Sequence, residues 1–149
     1  MCNQQVLNSS VTEEVKEQFM AEVRTIGRTY HKNLVRLYGF YFDANLKALV
    51  YEYMENGSLD SILLDKNKSI EWEKLHKIVI GAAKGLEYLH HNCEDMIIHY
   101  DIKPRNVFLD STFSAKVADF ILAKLCDRER THVTMSGGRG TPGYATPEL

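Results

Sequence analysis

His99-Tyr100-Asp101-Ile102-Lys103-Pro104-Arg105-Asn106 decides how this chain is read. Short apolar runs surround it and predict strands over Met96–His99, Asn106–Leu109 and Ala115–Val117, with Asp101, Asn106 and Asp119 at their turns. Two carboxylates and an amide oxygen near a lysine suit a magnesium–phosphate site. Magnesium prefers hard oxygen ligands, takes few of them from protein, and leaves the rest of its shell to phosphate and water. Lys103 adds a mobile positive charge for phosphate, and a carboxylate not holding metal is left to orient a hydroxyl nucleophile.

Outward from that loop, the pattern is one of mixed helices and strands. Val15, Phe19, Val23 and Ile26 recur at spacings of four, four and three, which predicts a helix over Val11–Gly27 with Thr12 as its N-cap. Glu22 falls on that apolar stripe, and the simplest reading puts it at the stripe's edge, reaching water. Leu34–Phe42 and Leu46–Met54 read as strands joined by a turn at Asp43-Ala44-Asn45. Glu55-Asn56-Gly57-Ser58 is a linker, with Ser58 or Asp60 capping a short helix. A long helix fits Ile70–His91, with Trp72, Leu75, Val79, Ala82, Leu86 and Leu89 as the expected buried stripe and Gly81 and Gly85 allowing close packing. Elements in this order predict an α+β fold.

Composition bounds the function. With 149 residues, 44% hydrophobic, 26% charged and a formal charge of −2, the chain is an ordinary globular one, with length for one modest domain. No basic block collects phosphates, so a nucleic-acid partner is not expected. The longest apolar run, Ile78–Ala83, is too short to cross a bilayer, and the first residues do not form a secretory signal. Three scattered cysteines, Cys2, Cys93 and Cys126, predict reduced thiols.

The chain resembles a protein kinase catalytic domain. His99-Tyr100-Asp101 with Asn106 matches the catalytic loop, Asp119-Phe120-Ile121 the magnesium motif, and Thr146-Pro147-Glu148 the end of the activation segment, in the family's order. It is most similar to plant receptor-like serine/threonine kinases, through Leu49–Leu59, Gly85-Leu86-Glu87-Tyr88-Leu89-His90 and Gly140-Thr141-Pro142-Gly143-Tyr144. The resemblance implies a partial two-lobe fold, with residues 1–54 an N-lobe remnant and 55–149 part of the C-lobe. It implies Asp101 and Lys103 as catalytic residues, and Asn106 and Asp119 as magnesium ligands. Glu52 and Met54 would offer backbone groups to the adenine of ATP, with Tyr51 as gatekeeper and Phe108 beneath the base. Glu22 would be the ion-pair acid of the first helix, and Ile26, Leu37, His99 and Phe120 a regulatory column. Thr131, Thr134 and Ser136 are activation-segment hydroxyls open to phosphorylation. Protein substrates with Ser/Thr hydroxyls, ATP and Mg²⁺ follow, in a membrane-anchored parent whose kinase domain faces the cytoplasm.

Departures from the family pattern qualify that expectation. No glycine precedes Gly27, so the glycine-rich phosphate loop is missing, and Gln5 stands where the family has the lysine that pairs with the helix glutamate. The chain ends at Leu149, just after Pro147-Glu148, and so reads as a kinase domain cut at both ends. Ile121 replaces the motif's glycine, and Tyr100 replaces the arginine before Asp101. Alone, the chain is expected to be inactive; a pseudokinase-like binding module or a non-functional remnant is the alternative.

Overall fold

A computed structural model describes residues 2–7, 13–43, 46–67, 69–126 and 140–144. Strand β1 (Cys2–Leu7) is followed by helix α1 (Glu13–Ile26), strands β2 (Leu37–Phe42) and β3 (Lys47–Glu52), the short helix α2 (Leu59–Leu63) and the long helix α3 (Trp72–His91). Short strands β4 (Met96–Ile98), β5 (Val107–Leu109), β6 (Ala115–Val117) and β7 (Lys124–Cys126) complete the order, with a 3-10 turn at Pro104–Asn106. The expected α+β character holds. An antiparallel sheet is ordered β1-β3-β2, and two antiparallel pairs, the hairpin β5–β6 and the longer-range pair β4–β7, lie outside it.

On the face expected of helix α1, Phe19 and Ile26 are buried and Val23 is half-buried, while the Val15 side chain lies outside those described. The Thr12 cap, Thr131, Thr134, Ser136 and the Thr146-Pro147-Glu148 motif lie outside the described residues, as do Ala44 and Asn45 of the hairpin turn. That turn is closed by Asp43, whose N–H donates to the Leu46 carbonyl (2.9 Å) and whose Oδ1 accepts the Leu46 N–H (2.8 Å). Leu34, expected at the start of β2, instead forms an isolated parallel bridge to Val117. Ser58 is the N-cap of α2, but its hydroxyl donates to the Asp60 carboxylate rather than capping the backbone.

The stripe expected on α3 needs correction. Trp72 (70% exposed) and Val79 (55%) face outward, whereas Leu75, Ala82, Leu86 and Leu89 pack against the core as expected and Ile78 and Gly85 are buried with them. The glycines set the orientation. A Cβ on Gly81 would lie 3.2 Å from the Ala115 Cβ, and one on Gly85 only 2.7 Å from the Asn33 carbonyl oxygen. The face nearest its neighbours must therefore carry both glycines. At ~100° per residue, Val79 lies about 160° around the helix from Gly81. Apolar character alone did not show which side the neighbours occupy.

One core cluster joins Ile26, Leu34, Leu89, Ile97, Val117 and Phe120, with Leu37 packed against it. His99 adds its ring to Phe120 (centroids 4.9 Å apart), so the four side chains of the expected regulatory column meet at one place. No helix among the described residues is long and apolar enough to cross a membrane.

Candidate active site

The polar loop after β4 is built around a neutral histidine. His99 is 2% exposed, and burial lowers its pKa against the opposing pull of the Ala118 carbonyl and nearby carboxylates. One tautomer meets both of its bonds. Nε2–H donates to the Ala118 carbonyl (2.9 Å), and Nδ1 accepts the Asp101 N–H (3.3 Å). Tyr100 between them takes φ 64°, in a region costly for a residue with a Cβ, and Asp119 takes φ 66°. Two such residues beside one cleft are the kind of local strain that clusters at functional sites.

Asp101 is gripped from three sides. Its Oδ2 accepts Lys103 Nζ (2.8 Å) and Asn106 Nδ2 (3.1 Å), and its Oδ1 accepts the Thr141 hydroxyl (2.5 Å). Lys103 also donates to Thr141 Oγ1 (2.6 Å), and Asn106 Nδ2 to the Asp101 carbonyl (2.9 Å). Burial raises the Asp101 pKa, but the hydrogen bonds from Lys103, Thr141 and Asn106, with the Lys103 charge, outweigh it and hold the carboxyl below its usual range. Asp101 is thus an ionised acceptor at neutral pH, and Thr141 shows that a hydroxyl can reach it.

That depressed pKa gives the first prediction. The stability it contributes is whole above the unfolded pKa of about 4 and is lost as pH falls from there through the lower folded value. Asp101→Asn is therefore expected to flatten the decline in melting temperature between neutral pH and pH about 3. Parallel melting curves for variant and wild type across that range would count against it.

The second carboxylate sits beside the first. The Ala118 N–H donates to the Asn106 carbonyl (2.9 Å), which ties the end of β6 to the loop. Asn106 and Asp119 consequently line one cavity of about 640 Å³, together with Lys103, Glu52, Met54 and Phe108. That volume is in the range of small-ligand pockets. Val35, Met54 and Ala118 form a buried apolar wall with Tyr51 and Phe108 against it. All the residues expected to hold catalysis, nucleotide or metal line this cavity, except Asp101, which joins it through Lys103 and Asn106. Sequence reasoning missed Val35, Ala118 and the Thr141 bond, and also the tether on Glu52. The Glu52 side chain accepts Lys116 Nζ at 2.9 and 2.8 Å and the Arg36 N–H at 2.7 Å, so its carboxylate is already engaged.

The chain matches the family described as protein tyrosine and serine/threonine kinase over residues 4–149. It belongs to the protein kinase family. Its curated relatives are plant receptor-like kinases and similar proteins. It is 48% identical over 134 residues to Protein SUPPRESSOR OF NPR1-1 CONSTITUTIVE 4 of Arabidopsis thaliana, covering 89% of this chain and 12% of that one. It is 49% identical over 138 residues to a G-type lectin S-receptor-like serine/threonine-protein kinase of the same plant (91% and 17% covered). It is 46% identical over 138 residues to Rust resistance kinase Lr10 of Triticum aestivum (89% and 22% covered). The chain therefore spans between about an eighth and about a fifth of these relatives' lengths.

In this kinase chain the helix glutamate has an unexpected partner. Glu22 is 3% exposed, not at the edge of its stripe reaching water, and its Oε1 accepts the Tyr51 hydroxyl at 2.6 Å. Burial is the main force on it and raises its pKa. Tyr51 and the Phe120 N–H pull the other way, while the Asp119 charge adds to the rise. Burial and the Glu22 carboxylate push the Tyr51 phenol up, so Tyr51 remains a donor. The strand register places position 5 opposite Leu49, two positions before Tyr51 on β3. Ile121, in place of the motif glycine, is not among the residues with positive φ, so the conformation seen here does not require glycine there.

Proposed function

We propose that this cleft is the catalytic centre for γ-phosphoryl transfer from Mg-ATP to serine or threonine hydroxyls of proteins. We further infer that the 149-residue chain by itself, with Gln5 in the lysine's place, does not complete the transfer. The observation that carries the reading is the Asp101 carboxylate held within 3.1 Å of Lys103, Asn106 and Thr141. Asp101 accepts or orients the proton of the incoming hydroxyl, and Lys103 meets charge on the transferring phosphate. Both bonds of Asn106 Nδ2 go to Asp101, which leaves Oδ1 for a cation. Oδ1 and the Asp119 carboxylate are hard oxygen donors lining the same cavity, so the residues fit magnesium. Bound magnesium would supply charge neutralisation at the phosphates. Backbone groups of Glu52 and Met54 and the ring of Phe108 supply the adenine side, at the junction between residues 1–54 and 55–149. The receptor-like kinases among the relatives support a membrane-anchored parent, and use of ATP is the ground for placing its kinase domain on the cytoplasmic face.

Gln5 favours an inactive chain. An amide brings no positive charge to the nucleotide phosphates, and positioning does most of the work in phosphoryl transfer. Millimolar Mg-ATP is expected to raise the wild-type melting temperature little. Gln5→Lys is expected to bind at least about tenfold more tightly, since a hydrogen bond to a charged group contributes ~1.5–3 kcal/mol. Asp119→Ala added to Gln5→Lys removes the gain. A wild-type shift as large as that of Gln5→Lys, or a gain insensitive to Asp119→Ala, would count against the reading.

A further inference from the structure

A second cavity shares no lining residue with the nucleotide cleft. It is a groove of about 520 Å³ between α3 and the β5–β6 hairpin, and Lys32, Lys77, Ile80, Lys84, Asp110 and Lys116 are among its walls. Its charge is lopsided in a chain whose net charge is −2. One oxygen of the groove's aspartate is occupied, since Asp110 Oδ1 accepts the Thr112 N–H, the Thr112 hydroxyl and the Ser114 N–H at 2.7–2.9 Å, and its single negative charge faces several lysines. Lys116 is paired with Glu52. Lys32, Lys77 and Lys84 form no ion pair with a carboxylate among the described residues. On α3, Lys77, Ile80 and Lys84 follow one another at helical spacing, and Ile80 is 42% exposed between the two cations.

We propose that this groove docks an acidic, extended segment of a partner polypeptide. Lys77 and Lys84 are seven residues apart, about 10 Å along the helix axis. In an extended peptide, side chains at i, i+2 and i+4 share one face and span about 13 Å, a mismatch the flexible lysine stems absorb. A Glu-x-Leu-x-Glu pattern therefore sets its carboxylates on Lys77 and Lys84 and its leucine on Ile80, with Lys32 across the groove. A flat bilayer meets the exposed Lys77, Ile80 and Lys84 but not the buried Asn33, and a free phosphate makes no use of Ile80.

The test titrates a fluorescein-labelled peptide containing Glu-Ser-Leu-Ser-Glu into the full chain and reads anisotropy. Saturable binding is expected. It should weaken at least tenfold in Lys77→Glu/Lys84→Glu, and stay within twofold in Arg28→Glu/Lys66→Glu, an equal charge change at exposed positions outside the groove. Ile80→Ser should weaken this peptide severalfold and leave unchanged a version with serine for leucine. Equal losses in both charge variants would overturn the proposal by showing non-specific attraction. So would displacement by millimolar inorganic phosphate, or binding of phosphatidylserine vesicles that the groove variant loses. Circular dichroism confirms that each variant is folded. Docking requires no nucleotide, so its failure would leave the phosphoryl-transfer reading standing.

Discussion

Tyr51→Phe is expected to destabilise the chain by about 1–3 kcal/mol at pH 8, the cost of leaving a buried polar group without its partner. The ring and its packing survive the change; only the hydroxyl that donates to Glu22 goes. What remains on the 3%-exposed carboxyl is the Phe120 N–H. The pH dependence has a definite sign. The folded-state pKa of Glu22 is raised, so below the unfolded value of about 4.3 both states are protonated and its ionisation has no effect on stability. As pH rises from there through the folded value, the buried acid costs stability. Removing Tyr51, which lowers that pKa, deepens the loss. The gap in urea midpoint between Tyr51→Phe and wild type should thus widen from pH 4 to pH 8. Glu22→Gln, which still accepts the Tyr51 hydroxyl but cannot ionise, should be at least as stable as wild type at pH 8. Equal stability of Tyr51→Phe and wild type at pH 8 would show that the hydroxyl is not the partner of Glu22.

Gly85→Val is expected to cost roughly 3 kcal/mol, the upper end of the range for overpacking. Two effects oppose each other. Leaving glycine in a helix interior improves helix propensity by less than about 1 kcal/mol. Against that, even a bare Cβ would lie 2.7 Å from the Asn33 carbonyl oxygen and 3.2 Å from the Leu34 Cδ2. The first contact is with backbone, which cannot rotate away, and the Asn33 carbonyl also accepts the Val117 N–H (2.9 Å). Moving it would disturb the strand that leads to Asp119. Gly39→Val is the contrast, because a Cβ there meets nothing within 4 Å. Comparable melting temperatures for Gly85→Val and wild type would refute the close approach.

These two sites also mark where sequence reading stopped. The polar loop at His99–Asn106 was legible because Asp101, Lys103 and Asn106 lie within six residues, and their mutual bonds follow from a local turn. The long helices were legible from their periodicity, with ends displaced by a residue or two. Strand β7, Lys124-Leu125-Cys126, was not, because three residues carry no period; its pairing with Met96–Ile98 defines it. Tyr51 and Glu22 lie 29 residues apart, and Thr141 lies 40 from Asp101. No local pattern announces such bonds. Glu22 was legible as an acid on an apolar stripe, but its partner waited for the strand register. The lysine groove draws on α3, the loop after α1 and the β5–β6 hairpin, so its charge is diluted in any linear window.

The central claim is that the chain holds the phosphoryl-transfer constellation around Asp101 yet, with Gln5 in the lysine's place, does not itself transfer phosphate. The most direct test incubates the purified chain and its Asp101→Asn variant with magnesium and γ-labelled ATP, and counts label on a generic basic protein substrate. The account predicts the same background incorporation for both proteins. Incorporation by the wild-type chain above background and lost in Asp101→Asn would contradict it.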